Sequence, residues 1–180
     1  MNYDRYINNN ILKGLKRPQR LNECSITALA SAMNALYNTD ISADDVLRAA
    51  SFDRKYVTDG NVGNEEMIEV YKNMYLKGSA KAIHSLKNNS EDWNFLKALI
   101  YEKDNSLILH INCHYNLIAG YFEEPSSYEY LNRKEFNTTN NWLIIADQST
   151  RNYPIWLLEY EKLVNKIKSN KYYGLIKLSR

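Results

Sequence analysis

Apolar residues in the first half of the chain recur with the spacing of helices. In the stretch 25–37 they return every three or four residues, and alanines occupy the remaining sides, which predicts a largely buried helix. The residues 1–21 show little periodicity and predict an irregular lead-in. Three further helices are predicted over 43–51, 65–77 and 91–103, with Ser42, Asn64 and Ser90 as their N-caps.

The second half of the chain has the short apolar runs of strands. The polar and aromatic stretch 123–141 predicts a long surface excursion, and 158–167 predicts one more helix. Because strands and helices do not alternate, the pattern predicts an α+β fold with an antiparallel sheet, in a single domain over 1–180. Strands are predicted over 107–112, 115–122, 142–147 and 172–178.

Composition narrows the class of protein. An apolar share of 44% is enough for a core, and a formal net charge of +2 favours neither nucleic acid nor an anionic membrane as a partner. Two cysteines are too few for a disulfide scaffold, which favours a reducing compartment. No apolar run is long enough to span a membrane, and the N-terminus lacks the apolar core of a signal peptide. We therefore expect a cytoplasmic protein, with export as an effector left open.

Three residues at predicted element boundaries form a candidate triad. Cys24 opens the first helix, His114 lies between two strands, and Asp147 ends a third strand. A helix N-terminus and a neighbouring imidazolium both favour thiolate over thiol, and a carboxylate can fix the imidazole tautomer. Gln19, five residues before Cys24, is predicted to stabilise an oxyanion together with the Cys24 backbone N–H. The pattern predicts nucleophilic thiol chemistry, and no cofactor is expected.

Each of these residues also has an ordinary structural interpretation. A cysteine near a helix start is more often a packing residue, and a strand-end aspartate is often a cap. Cys113 with His110 and His114 suggests a metal site, but successive side chains of a strand point in different directions, so no metal is expected. Only the joint pattern of the candidate triad favours catalysis.

Three segments of the chain resemble the catalytic domain of phytochelatin synthases, within the papain-like superfamily of cysteine peptidases and acyltransferases. The Cys24 helix, with its Met-Asn-Ala-Leu end, resembles their nucleophile helix. The run 114–121 resembles their His-Phe-x-x-x-x-Gly-Tyr strand. Asp147, followed by the pair Tyr153-Pro154 and then a Trp, resembles their aspartate segment, which is the most specific of the three. The likeness covers most of the chain.

This resemblance implies a papain-like fold, with the nucleophile helix packed on the antiparallel sheet, and an enzyme that transfers γ-glutamylcysteine. In that family the cysteine attacks the Cys–Gly bond of glutathione and releases glycine, and short forms mainly hydrolyse the acyl-enzyme. The resemblance also implies that Arg151 and Tyr153 bind substrate. Three positions depart from the family pattern: Ser25 replaces a glycine, Gln19 is one residue closer to the cysteine, and Thr150 stands where a basic residue is usual.

The sequence leads to one expected function and two rivals. The expected function is hydrolysis or acyl transfer at a peptide-like amide, with glutathione-like substrates favoured. The first rival is a papain-like protease for a defined protein, such as a double-glycine leader peptidase, or a butirosin-type acyltransferase. The second is a non-catalytic binding module on the same fold, for which fifteen tyrosines supply interface material. The oligomeric state is left open.

Overall fold

A computed structural model describes residues 5–15, 23–50, 63–74, 77–125, 139–149 and 155–180. The helices in these ranges are α1 (Asn9–Gly14), α2 (Cys24–Tyr37), α3 (Ala43–Ala50), α4 (Asn64–Met74), α5 (Ser90–Tyr101) and α6 (Tyr160–Ser169). The strands are β1 (Arg5–Ile7), β2 (Ser79–Ile83), β3 (Asn105–Ile111), β4 (His114–Pro125), β5 (Thr139–Ala146), β6 (Ile155–Glu159) and β7 (Gly174–Ser179).

The described strands form one sheet, and all of its pairings are antiparallel. The order is β2-β7-β3-β4-β5-β6, and β1 pairs with the second half of β4. The register of β4 against β5 shifts between Ile118 and Gly120, and the pairing of β1 with β4 begins at Gly120. The predicted α+β class with an antiparallel sheet is therefore confirmed.

Helices cover both faces of the sheet. Residues of α1 to α4 share one core with the sheet, and residues of α5 and α6 share a second core with its other face. Because β3 is covered on both faces, it is buried along nearly its whole length and has a continuous apolar run in place of an alternating one. Among the described residues, no helix has both the length and the apolar character needed to cross a membrane.

The helix α2 is largely buried, as its apolar pattern predicts, and it lies at the centre of its layer. It packs against α1, α3, α4, β3 and β4, and nearly all of its residues are buried. It ends at Tyr37, and Asn38 follows in the left-handed conformation with φ 52°. The buried Asn34 side chain holds the next loop, since it accepts from the Ile41 N–H at 2.7 Å and donates to the Ile41 carbonyl at 2.9 Å. The packing of α2 against β3 and β4 fixes where the helix sits on the sheet.

The predicted helix caps are correct in one case of three. Ser42 and Asp45 form the predicted capping box, in which the Ser42 N–H donates to the Asp45 carboxylate and the Asp45 N–H to the Ser42 hydroxyl. Asn64 and Ser90 are instead the first residues of α4 and α5. The N-cap of α5 is Asn89, whose side-chain oxygen accepts a first-turn N–H at 2.8 Å. Neighbouring capping residues are not distinguished by the sequence pattern.

The predictions were wrong where short strands depend on distant partners. The expected irregular lead-in contains β1 and α1, and β2 was not predicted. The helix predicted over 158–167 begins only at Tyr160, because Leu158 and Glu159 belong to β6 and pair with β5. The expected excursion is shorter than 123–141, since β4 and β5 stay paired out to Pro125 and Thr139. Strands of three to five residues carry too little periodicity to be recognised alone.

Gly120 lies where β1 comes close to β4, and its replacement tests that approach. A Cβ at this position would collide with the Tyr6 carbonyl oxygen and lie 3.1 Å from the Ile7 Cα. Because backbone atoms cannot turn aside, Gly120→Ala is expected to lower the free energy of unfolding by about 1–3 kcal/mol in urea denaturation. The control is Gly63→Ala, where the three atoms nearest to the new Cβ all belong to the flexible Glu66 carboxylate. Equal losses in the two variants would contradict the close approach of β1.

Candidate active site

Cys24 is the first residue of α2, where backbone N–H groups have no partner inside the helix. The residue before it, Glu23, makes no side-chain capping bond to the helix. The backbone N–H groups of Ser25 and of Tyr115, on β4, both donate to the partly buried Cys24 thiol. The helix start and the strand thus together present donors to a thiolate.

His114 begins β4 directly after a tight turn. Asn112 and Cys113 connect β3 to β4, and both have positive φ, 54° and 57°. A two-residue hairpin loop favours this conformation because it matches the twist of the strands. Asparagine is common there, whereas a cysteine costs roughly 1–2 kcal/mol. The Lys166 ammonium, from α6, donates to the Asn112 side-chain oxygen at 2.7 Å. The conformation of the turn and the hydrogen bond from Lys166 together fix the direction in which the chain enters β4 at His114.

Asp147 directly follows β5, and its buried carboxylate is held by two residues. Its Oδ1 accepts the Ser149 backbone N–H at 2.7 Å and the Ser149 hydroxyl at 2.6 Å. The same oxygen lies 3.2 Å from His114 Nε2. The sequence analysis did not single out Ser149, although Asp-x-Ser is the spacing of an Asx turn, in which an aspartate accepts the N–H two residues on. Ser149 orients the carboxylate towards the imidazole.

The three residues of the predicted triad therefore meet, although they are far apart in the sequence. The Cys24 thiol is hydrogen-bonded to the His114 side chain, and since Nε2 faces Asp147, Nδ1 is the ring nitrogen left for the sulfur. Burial raises the pKa of the Cys24 thiol. The hydrogen bonds from His114 and the two backbone N–H groups, with the charge of His114, outweigh burial, so the thiol pKa lies below its ordinary value.

The charges of His114 and Asp147 support each other. The hydrogen bond to Asp147, then that to Cys24, raises the pKa of His114 to about 9 although burial opposes the charge. Burial raises the pKa of Asp147, but the bonds from His114 and Ser149 hold it below the usual carboxyl range. At neutral pH the site therefore holds an imidazolium between a carboxylate and an acidified thiol. This arrangement can supply a nucleophile and, beside it, a proton donor.

Gln148 is a fully buried residue of the site that the sequence analysis missed. Its Nε2 donates to the Cys24 carbonyl at 3.1 Å and to the Tyr115 carbonyl at 2.6 Å. Among the described residues its Oε1 has no partner. The only signal in the sequence is a glutamine directly after Asp147, where an apolar run ends, and such a residue is typical of an exposed loop.

Tyr115, next to His114, also lines a cavity of about 700 Å³. Its ring stacks on His110 with 4.1 Å between the centroids, and its hydroxyl donates to the Asn64 side-chain oxygen at 3.1 Å. Burial, then the charges of Cys24 and Glu66, raises the pKa of the Tyr115 phenol, which therefore stays neutral. The other cavity walls come from the start of α4, the β3–β4 turn and the loop before β7. The cavity has the size and the aromatic lining of a ligand pocket.

Three predicted site residues, Gln19, Arg151 and Tyr153, lie outside the described residues, as does Thr150. The suggested metal ligands do not gather: among the residues that the structure describes, no three His, Cys, Asp or Glu side chains are placed to hold a metal ion. His110 instead packs against Tyr115, and burial holds its pKa below the usual range.

Comparison with known proteins does not assign this chain to a family. No family model matches the sequence, and no curated protein matches it at a significant level.

Proposed function

We propose that the chain is a cysteine-dependent amide hydrolase or acyltransferase with a papain-like catalytic domain. Cys24 is the nucleophile, His114 the general acid and base, and Asp147 the group that orients the imidazole. The observation that carries this proposal is the continuous hydrogen-bonded line from the Cys24 thiol through His114 to the Asp147 carboxylate. Gln19, five residues before Cys24 in the chain, is proposed as an oxyanion donor together with the Cys24 backbone N–H.

The proposed reaction has two steps that share one proton. The Cys24 thiolate attacks the amide carbonyl, and His114 gives its proton to the departing amine as the C–N bond breaks, which leaves a thioester. His114, now neutral, then takes a proton from water or an acceptor as that molecule attacks the thioester. The C–S bond breaks, and the thiolate–imidazolium pair is restored. The raised pKa of His114 suits the first step, because the imidazole holds its proton at neutral pH.

The proposed substrate is a peptide-like amide, with glutathione favoured by the resemblance. Incubation of the protein with glutathione, followed by mass spectrometry, is expected to show released glycine and either the des-glycine product or longer oligomers. A second candidate is a longer peptide. The cavity of about 700 Å³, which Tyr115 lines but Cys24, His114 and Asp147 do not, is where a bulky side chain of such a peptide would bind. Turnover of short peptides without turnover of glutathione would select this candidate.

The rival binding module is distinguished by the reactivity of the thiol. An acidified Cys24 is expected to react with iodoacetamide well below pH 7, and much faster than Cys113. Peptide mapping after limited alkylation measures both rates in one sample. Equal, slow labelling of the two cysteines, with the pH dependence of an ordinary thiol, would favour the binding module over the enzyme.

A further inference from the structure

Gln148 joins the two segments that surround the sulfur of the proposed enzyme. One of its acceptors is the carbonyl of Cys24 itself, at the start of α2. The other is the carbonyl of Tyr115, the residue whose N–H donates to the Cys24 thiol and whose neighbour is His114. A single side-chain amide therefore connects the helix that carries the nucleophile to the strand that carries its proton donor.

The orientation of the Gln148 amide follows from its surroundings. Both of its close partners are carbonyl oxygens, which only accept, so the NH2 end must face them. The reverse orientation would bring Oε1 against two other oxygens in a site closed to water. Oε1 has no partner within the described part of the chain. The two N–H donors of Gln148 thus hold the Cys24 and Tyr115 carbonyls together.

From this geometry we infer that Gln148 is a positioning residue: its amide fixes the start of α2 against β4 and so holds the Cys24 thiol on His114. The inference rests on the proposed function. Gln148 directly follows Asp147 in the chain, so the connection also includes the segment that supplies the orienting carboxylate. All three parts of the triad thus meet at one side chain.

Loss of the Gln148 hydrogen bonds is expected to raise the pKa of the Cys24 thiol. Burial by itself raises the pKa of Cys24, and the bonds from His114 and the Tyr115 N–H are among the contacts that reverse the effect. If α2 moves away from β4, these bonds lengthen while the sulfur stays partly buried. The thiolate then becomes less favoured, although no group that touches it has been replaced.

The test is the pH dependence of Cys24 alkylation by iodoacetamide in Gln148→Met, which keeps the length of the side chain and removes the donor. The midpoint of the alkylation profile is expected to move upward by about one pH unit or more, which is about tenfold slower labelling below the midpoint. Circular dichroism confirms folding. If Gln148→Met does not fold, Gln148→Asn, with the amide on a shorter arm, is expected to fold and to shift the midpoint in the same direction.

The matched control is Asn34→Met, at the other end of α2. Asn34 is also buried and also bridges backbone groups, but it holds only the loop at Ile41. Its replacement is expected to lower stability and leave the alkylation midpoint unchanged. An equal shift in Asn34→Met would overturn the inference, because general loosening would then suffice.

Two further outcomes separate this inference from the function on which it rests. An ordinary thiol midpoint for Cys24 in the unaltered protein overturns the proposed function and the positioning role together. A low midpoint in the unaltered protein that persists in a folded Gln148 variant overturns the positioning role alone.

Discussion

The variant Cys24→Ala is expected to lose all formation of an acyl-enzyme and all turnover of amide substrates. The Cys24 sulfur forms the acyl-enzyme bond in the proposed mechanism, and alanine has no nucleophile to replace it. Removal of a triad nucleophile leaves only the catalysis that binding and oxyanion contacts supply, a loss of about 10⁶-fold in one known triad. The measurement is intact-protein mass spectrometry after brief exposure to substrate, together with product formation over hours.

The structure supplies a matched control for this variant. Cys113→Ala removes the other cysteine, which is exposed and has its sulfur 3.9 Å from the Tyr173 hydroxyl, and it is expected to keep the acyl-enzyme signal. Cys24 is partly buried against the core that α1 to α4 share with the sheet. Its replacement by alanine should therefore change the free energy of unfolding by about 1 kcal/mol or less. Substantial turnover by a folded Cys24→Ala protein would contradict the proposed mechanism.

Replacement of Asp147 by asparagine is expected to narrow the pH range of activity from its alkaline side. In the unaltered protein the Asp147 hydrogen bond is the largest of the causes that raise the pKa of His114 to about 9. A pKa raised by a partner falls when that partner is removed, so the imidazolium of Asp147→Asn is lost at a lower pH. If its pKa falls to near 7, the first-step rate at pH 8 drops by about tenfold.

The measurement for Asp147→Asn is a pH–rate profile of acyl-enzyme formation, with its alkaline limit as the readout. Asp45→Asn is the control, since this carboxylate also accepts hydrogen bonds but lies in the exposed capping box of α3. Its replacement should weaken the cap and leave the alkaline limit in place. If the alkaline limit of the pH–rate profile also stays near pH 9 in Asp147→Asn, Asp147 is not what raises the pKa of His114.

The candidate site shows how the pKa of a partly buried thiol can be lowered in an α+β fold. Burial alone would make Cys24 less acidic, and the helix start alone gives a modest effect. What decides the direction is that β4 brings both an imidazole and a backbone N–H to the sulfur. Asp147 and Ser149 then keep the imidazole charged and oriented. The charge of each triad residue is therefore stabilised by a residue that lies on a different helix or strand.

Residues whose local sequence carries the information were predicted well. The helix α2 and its start at Cys24 follow from helical spacing, because most of its surface is buried and its period is plain over three turns. The hairpin of β3 and β4 follows from two apolar runs with two residues between them. The prediction put His114 in that connection, whereas the structure makes it the first residue of β4. Asp147 at the end of β5 follows in the same way. The local sequence pattern thus predicted which helix or strand end lies next to each triad residue.

The tertiary structure alone decided that these residues meet. The distance between Cys24 and His114 depends on how α2 packs across β3 and β4, and Asp147 reaches His114 only because β5 pairs beside β4. The same dependence hid Gln148, since its two acceptors come from distant segments and nothing near it in the chain marks it as buried. It also hid β1, β2 and β6, whose partners supply the hydrogen bonds that short strands lack. The sequence by itself determined the parts of the site, and long-range pairing and packing determined their assembly.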